Sequence, residues 1–301
     1  MRSQIVFIAL CCLILSANAS LKKERIRREA NKQMQMKAID IHNAGNSTFK
    51  MGLTKVNKFG EKTWDEFKKH FDWRQHGAVT VVGDQEPCGC CYAFSATGNI
   101  ESVWKVKKGV LKELSKQQIV DCCRIPCSTS QSEAAPECCD GCNKGYTGTA
   151  LRYIYLKGGI EAETDYRFIA DAVQNTDQCH FNRSEIAATI DGHVMLPSKD
   201  EDRMARYLYK HGAVSISIHA NDALTNYKSG IFDQTPEECP NGLTDLDHAV
   251  LLVGFGEENG IPYWIVKNSW SSSWGEEGYV RMRRGKNLCG IAMYVTSAVV
   301  N

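Results

Sequence analysis

Cys91 sits in the segment Asp84-Gln85-Glu86-Pro87-Cys88-Gly89-Cys90-Cys91-Tyr92-Ala93-Phe94-Ser95. From Tyr92 to Lys108 the chain carries good helix formers, apolar residues at Phe94, Ile100 and Val103, and a stop at Gly109. Cys91 therefore falls where a loop runs into a helix. Unpaired N–H groups and the positive end of the helix dipole stabilise a thiolate there, and a thiolate so placed can act as a nucleophile. Two partners lie far downstream. His248 follows Asp247 and opens a strand-like run, Ala249-Val250-Leu251-Leu252-Val253-Gly254, and Asn268 comes 20 residues later in Tyr263-Trp264-Ile265-Val266-Lys267-Asn268-Ser269-Trp270. An imidazole can hold a thiolate and then deliver a proton, and a side-chain amide can orient the imidazole. Taken singly, a cysteine is usually structural and a histidine usually belongs to the surface or the core. The order and local context of the three give them weight.

A Cys, a distant His and then an Asn is the order of papain-like proteases, whose local signature is C-G-[SA]-C-[WY]. This chain has Cys88-Gly89-Cys90-Cys91-Tyr92, with Cys90 where Ser or Ala is usual. The chain resembles the papain family of cysteine peptidases, of the cathepsin type, from about Phe71 to its end and more weakly back to about Glu24. The resemblance implies a two-lobed α+β fold. Its left lobe is helical and built around the Cys91 helix. Its right lobe is a β-barrel-like sheet carrying His248 and Asn268, with the cleft between the two.

It also implies roles. Cys91 attacks the peptide carbonyl, His248 forms the ion pair and protonates the leaving amine, and Asn268 orients the imidazole. Gln85, six residues before Cys91, matches the oxyanion-hole glutamine, and Trp270 the tryptophan that shields the His–Asn hydrogen bond. Gly141-Cys142-Asn143-Lys144-Gly145-Tyr146 resembles the family's G-C-N-G-G-Y stretch, so Gly145 would pair its backbone with substrate as an added strand does. Lys144 replaces the first glycine of that pair. Tyr294, five residues past Cys289, matches the position closing the S2 pocket, with Tyr146 and Leu246 along its walls. The alternative for Tyr294 is a core aromatic.

The rest of the chain bounds this reading. Residues 1–19 read as a secretory signal: Arg2, an apolar run from Ile5 to Leu15, then Ala17-Asn18-Ala19. That run is too short to span a bilayer. Residues 20–70 read as a short or truncated propeptide. Glu24, Arg28, Ile39 and Asn43 fall in register with the interrupted E-R-F-N-I-N pattern, while Lys32 and Gln35 replace two of its members. The stretch from Asn57 to Phe67 looks like the motif before the cleft. Only Lys68-Lys69-His70 then separate it from the domain 71–301, so either the propeptide inhibits weakly or an exon is missing. A solvated basic helix and linker is the plainer alternative for this segment. The formal net charge of +1 offers nucleic acid no electrostatic attraction.

Of the 14 cysteines, Cys11 and Cys12 leave with the signal, and the remainder in an oxidising compartment imply disulfides. A zinc site in the dense set Cys122, Cys123, Cys127, Cys138, Cys139 and Cys142 is the weaker alternative, since no nearby histidines complete it. By resemblance the bridges are Cys88–Cys142, Cys122–Cys179, Cys239–Cys289 and, as in cathepsin B, Cys123–Cys127. Cys90, Cys138 and Cys139 are then left over. Ser128 to Pro136 reads as a polar surface insert. Asn46 and Asn182 begin N-glycosylation sequons.

These readings converge on a secreted or lysosomal cysteine endopeptidase that needs no cofactor and no metal. Its expected partners are protein or peptide substrates and proteinaceous inhibitors of cysteine proteases. Nucleic acid and a membrane anchor are not expected, and the protein should be a monomer. No occluding insertion with paired histidines argues for dipeptidyl carboxypeptidase action. The rivals are an inactive secreted binding protein on the same fold, and a transferase or ligase that passes the thioester to an amine.

Overall fold

The computed structural model describes residues 69–125, 127, 138–169 and 178–301. The signal segment, Asn46, the insert and all but the last two residues of the propeptide lie outside the described residues.

Helix α1, Cys91–Lys108, starts where the sequence predicts it. It ends at Gly109, whose φ of 78° suits a residue without Cβ and whose N–H donates to the Lys105 carbonyl. Lys105, Lys107 and Lys108 occupy its last turn, where cations face the negative end of the dipole. Helix α2, Lys116–Cys122, begins at Ser115, whose hydroxyl accepts from the Gln118 N–H at 2.9 Å. Helix α3 spans Thr147–Lys157. Tyr92, Ile100, Leu114, Ile119, Leu151 and Ile154 are fully buried together and form the core of this helical lobe.

The strands are β1 (Phe71–Asp72), β2 (Arg124–Ile125), β3 (Cys139–Asp140), β4 (Lys144–Gly145), β5 (Ile160–Glu161), β6 (Ile186–Ala188), β7 (Gly192–Met195), β8 (Val214–Ile218), β9 (Ile231–Phe232), β10 (His248–Glu258), β11 (Ile261–Lys267), β12 (Tyr279–Arg283) and β13 (Val295–Val299). Strands β2, β3 and β4 form a small sheet with β4 at its edge. The main sheet of the second lobe runs β7-β13-β8-β10-β11-β12-β9, and β1 also pairs with β10. Its ends, β7 and β9, do not pair with each other, so the sheet stays open and is not a closed barrel. Helix α4, Glu201–His211, is capped by Asp200 and buries Met204, Ala205 and Leu208 against a core that includes Phe255, Trp264 and Met282.

Strand β10 is buried along nearly its whole length, from His248 to Gly256. Its continuous apolar run suits a strand covered on both faces. One cover is α1. Gly98 lets the helix come close, since a Cβ there would stand 2.9 Å from a Leu251 methyl. Two buried polar side chains of α1 are satisfied from the other lobe. Ser95 donates its hydroxyl to the Val250 carbonyl at 2.7 Å, and Asn99 donates to the Ala213 carbonyl and accepts from the Ala298 N–H, both at 2.7 Å. Unpaired, such groups would each cost about 1–3 kcal/mol. Helix and strand are therefore held in one register, and that register sets the first residue of α1 against the first residue of β10.

Candidate active site

The first residue of α1 is Cys91 and the first residue of β10 is His248. The Cys91 thiol is hydrogen-bonded to His248 and accepts the Ala249 N–H at 3.4 Å. Burial pushes the thiol's pKa up. The hydrogen bond to His248, the imidazole's charge and the N–H groups of Ala249 and Tyr92 more than offset it, and the net shift is downward. For His248, burial disfavours the cation. The bond and charge of Cys91, the bond to Asn268 and the charge of Asp247 outweigh it, and the imidazole is raised. Opposite shifts in two touching groups favour a thiolate beside an imidazolium.

Asn268 follows the last residue of β11, and its N–H donates to the Gly278 carbonyl at 2.9 Å. Its Oδ1 accepts from His248 Nε2 at 2.8 Å and from the Ser269 N–H at 2.8 Å. This bond leaves Nδ1 as the nitrogen for Cys91. The Trp270 ring stacks on the imidazole, with centroids 4.6 Å apart and planes 21° apart, and His248 and Asn268 are 7% and 4% exposed. The His–Asn bond is thus largely out of water.

Gln85 is buried beside them. Its backbone N–H donates to the Ser269 carbonyl at 2.9 Å, its Oε1 accepts the Ser269 hydroxyl at 2.6 Å, and its Nε2 donates to the Cys88 carbonyl at 2.9 Å. The amide nitrogen keeps a second N–H. A disulfide, Cys88–Cys142, ties this loop to the next, and the Gly89 N–H donates to the Cys142 carbonyl at 2.7 Å. Gly145 lies against Tyr92, where a Cβ would stand 2.6 Å from ring carbons, and the Tyr92 hydroxyl donates to the Gly141 carbonyl. The edge strand holding Gly145 is therefore pressed beside the residue that follows Cys91.

Tyr146 and Tyr294 meet edge to face at 6.0 Å between ring centroids. Tyr294 is 4% exposed, and its hydroxyl stands 2.7 Å from where a Cβ on Gly148 would be. Leu246 packs by the turn after Cys289, with a methyl 2.6 Å from where a Cβ on Gly290 would be. Asn182 is exposed and caps a short turn, accepting from Ser184.

The cysteine pairing needs one correction. Cys88–Cys142, Cys122–Cys179 and Cys239–Cys289 are bridged. Cys123 and Cys127, expected to close a small loop on each other, instead bond to Cys139 and Cys138. The reason is the ladder between β2 and β3, which pairs Arg124 with Asp140 and Ile125 with Cys139 and brings the Cα atoms of Cys123 and Cys139 to 5.5 Å. All six cysteines weighed as zinc ligands are thereby used. Among the described residues no group of three His, Cys, Asp or Glu could hold a metal. Cys90 and Cys91 are the free thiols there. Cys90 is fully buried, and burial with the neighbouring Cys91 charge pushes its thiol far up, so it does not compete as a nucleophile.

Two contributors went unread in the sequence. Ser269 holds Gln85, and its place between Asn268 and Trp270 was the available signal. Asp247 raises His248 by its charge, and its carboxylate accepts the Ala220 N–H at 2.7 Å and lies 3.2 Å from His219 Nδ1.

Residues 67–299 match the papain family cysteine protease profile. The chain belongs to the papain family of cysteine proteases. It is 43% identical over 227 residues to cathepsin L of Sarcophaga peregrina and 41% identical over 225 residues to cathepsin S of Mus musculus, each match covering 74% of this chain and 61% of the relative. It is 42% identical over 241 residues to cathepsin F of Drosophila melanogaster, covering 78% of this chain but only 36% of that longer protein. Among solved structures, this papain-family chain resembles the bromelain protease of Ananas comosus in complex with the E64 inhibitor. The TM-score is 0.65 at 34% identity, covering 77% of this chain and 99% of bromelain. Among the described residues no helix is long and apolar enough to cross a membrane.

Proposed function

We propose that the chain is a cysteine endopeptidase that hydrolyses peptide bonds through a thioester on Cys91. The observation that carries this is the geometry of the pair: Cys91 at the start of α1 hydrogen-bonded to His248, whose Nε2 is held 2.8 Å from Asn268 Oδ1.

The thiolate sulfur of Cys91 adds to the substrate carbonyl carbon, and the carbonyl π electrons move to oxygen. The Cys91 N–H at the start of α1 and the second N–H of Gln85 Nε2 stabilise that oxyanion. Losing one such donor costs about 3–4 kcal/mol of transition-state stabilisation in comparable sites. The imidazolium of His248 gives its proton to the amine nitrogen as the C–N bond breaks, leaving a thioester and neutral imidazole. Water then adds to the thioester with His248 taking its proton. The carboxylic acid leaves, and the thiolate–imidazolium pair returns. Asn268 keeps Nδ1 aimed at the sulfur throughout, and Trp270 keeps water from its bond to Nε2.

Gly145, on the edge of its small sheet, would pair with the substrate backbone. Tyr294 at the base of S2, with Tyr146 and Leu246, would make that pocket short. Residues 1–19 would direct the chain into the secretory pathway, residues 20–70 would be removed, and Asn182 would carry a glycan, as Asn46 would before processing. The five disulfides among the described residues suit that oxidising route to a secreted or lysosomal destination. A monomer acting on peptides and blocked by proteinaceous inhibitors completes the reading.

The test is product analysis with purified, reduced protein and a defined peptide. Two fragments with a new carboxylate, abolished by alkylation of Cys91, are expected. Fragments joined to an added amine would make the protein a transferase, and no turnover with no labelling of Cys91 would make it an inactive binding protein.

A further inference from the structure

The cleft is bordered by two loops of the helical lobe, and each ends in an uncommitted charge. The first is Asp84-Gln85-Glu86. Its backbone is stitched to the other lobe by the Gln85 N–H bond to Ser269 and by an antiparallel bridge between Asp84 and Trp270. Glu86 is exposed, and its N–H donates to Asp84 Oδ1 at 2.9 Å. The second is Cys142-Asn143-Lys144-Gly145, fastened to the Cys91 loop by the disulfide at Cys88 and the Gly89 bond to Cys142. Lys144 is exposed on edge strand β4, directly before Gly145, and stands across the ladder from Asp140, whose Oδ2 accepts from Asn143 at 3.0 Å. Among the described residues neither Lys144 nor Glu86 is in an ion pair.

The chemistry assigns direction to these two ends. His248 hands its proton to the departing amine, so the substrate segment after the cut lies on the side of His248 and of the Trp270 ring stacked on it. Glu86 lies two residues from Asp84, whose backbone bridges Trp270. On the peptidase reading the segment before the cut would pair along Gly145, and Lys144 directly precedes Gly145 on β4.

We infer that the cleft carries opposite charges at its two ends, and that the enzyme prefers peptides with an acidic residue before the scissile bond and a basic residue after it. This rests on the peptidase reading and names a substrate class for it. Both charges are exposed, so each contributes a modest factor that fades with salt.

The test uses four internally quenched peptides with one common central sequence. They carry Glu or Arg at the third residue before the bond, and Glu or Arg at the second residue after it. At low ionic strength the Glu-before, Arg-after peptide should have the highest kcat/KM and the Arg-before, Glu-after peptide the lowest. Each end should contribute about two- to fivefold, the range of exposed ion pairs, and the preference should shrink sharply near 1 M salt. Glu86→Gln should erase the preference after the bond alone, and Lys144→Gln the preference before it alone. Four equal rates in the wild type, or preferences that survive both substitutions, overturn this inference and leave the peptidase reading standing. Hydrolysis of none of the four overturns both.

Discussion

Ser269 donates its hydroxyl to Oε1 of Gln85 at 2.6 Å, although 184 residues of chain separate the two. The bond joins the loop before Cys91 to the loop after Asn268 and, with the Nε2 bond to the Cys88 carbonyl, sets the orientation of the Gln85 amide that would meet an oxyanion. Without it only the Nε2 bond to the Cys88 carbonyl at 2.9 Å holds the amide, which is then less firmly fixed.

Ser269→Ala is therefore expected to lower kcat about three- to tenfold, the worth of one buried hydrogen bond, with KM little changed. Gln85→Ala, which removes the donor itself, should lower kcat about 100- to 1000-fold. Steady-state kinetics of both variants check this. A Ser269→Ala enzyme with wild-type kcat would show that Gln85 is held by other means.

The pH dependence follows from the two shifts in the catalytic pair. The Cys91 thiol is lowered, so as pH falls through its pKa the sulfur takes up a proton and stops being a nucleophile. The His248 imidazole is raised, so as pH rises through its pKa the ring loses the proton that the leaving amine must receive. A bell-shaped profile of kcat/KM is expected, with its plateau between the two. A flat profile across about pH 4–9 would contradict the ion pair.

How much of this was legible in the sequence depended on how local each signal was. Cys91, His248, Asn268 and Gln85 each stand in a short recognisable segment, so they could be singled out as candidates before any fold. The lobes were readable as well, because the run from Ala249 to Val253 and the helix ending at Gly109 carry their own patterns. The pairing of Cys123 was not. A nearby partner, Cys127, satisfies the spacing, while the true partner is fixed by a two-residue ladder that no periodicity announces. Nor was Ser269, whose role depends on a contact between distant loops. That the right-lobe sheet stays open was equally hidden, since strand order at the edges is set by tertiary packing.

The disulfides give a chemical check. Unfolded but unreduced mature protein should take up alkylating agent at Cys90 and Cys91, whereas the native protein should react at Cys91, since Cys90 is buried with its thiol pushed up. Peptide mapping should link Cys123 to Cys139 and Cys127 to Cys138. A peptide linking Cys123 to Cys127 would refute the ladder's pairing.

Specificity at S2 tests Tyr294. If Tyr294 closes the pocket, substrates with Val or Leu as the second residue before the cut should outrun those with Phe, and Arg should fare worst. Burying an unpaired guanidinium costs several kcal/mol, whereas apolar size discriminates by about 1–3 kcal/mol per methylene. Tyr294→Ala should raise the relative rate for Phe. An unchanged profile in a peptide library would leave Tyr294 as a core aromatic packed on Tyr146.

The most direct measurement is intact-mass analysis of the enzyme quenched in acid during turnover of an activated ester or a slow peptide substrate. The account predicts a covalent acyl adduct that maps to Cys91, appears before the second product, and vanishes together with turnover in Cys91→Ala. Turnover without an adduct, or an adduct on Cys90, would contradict it.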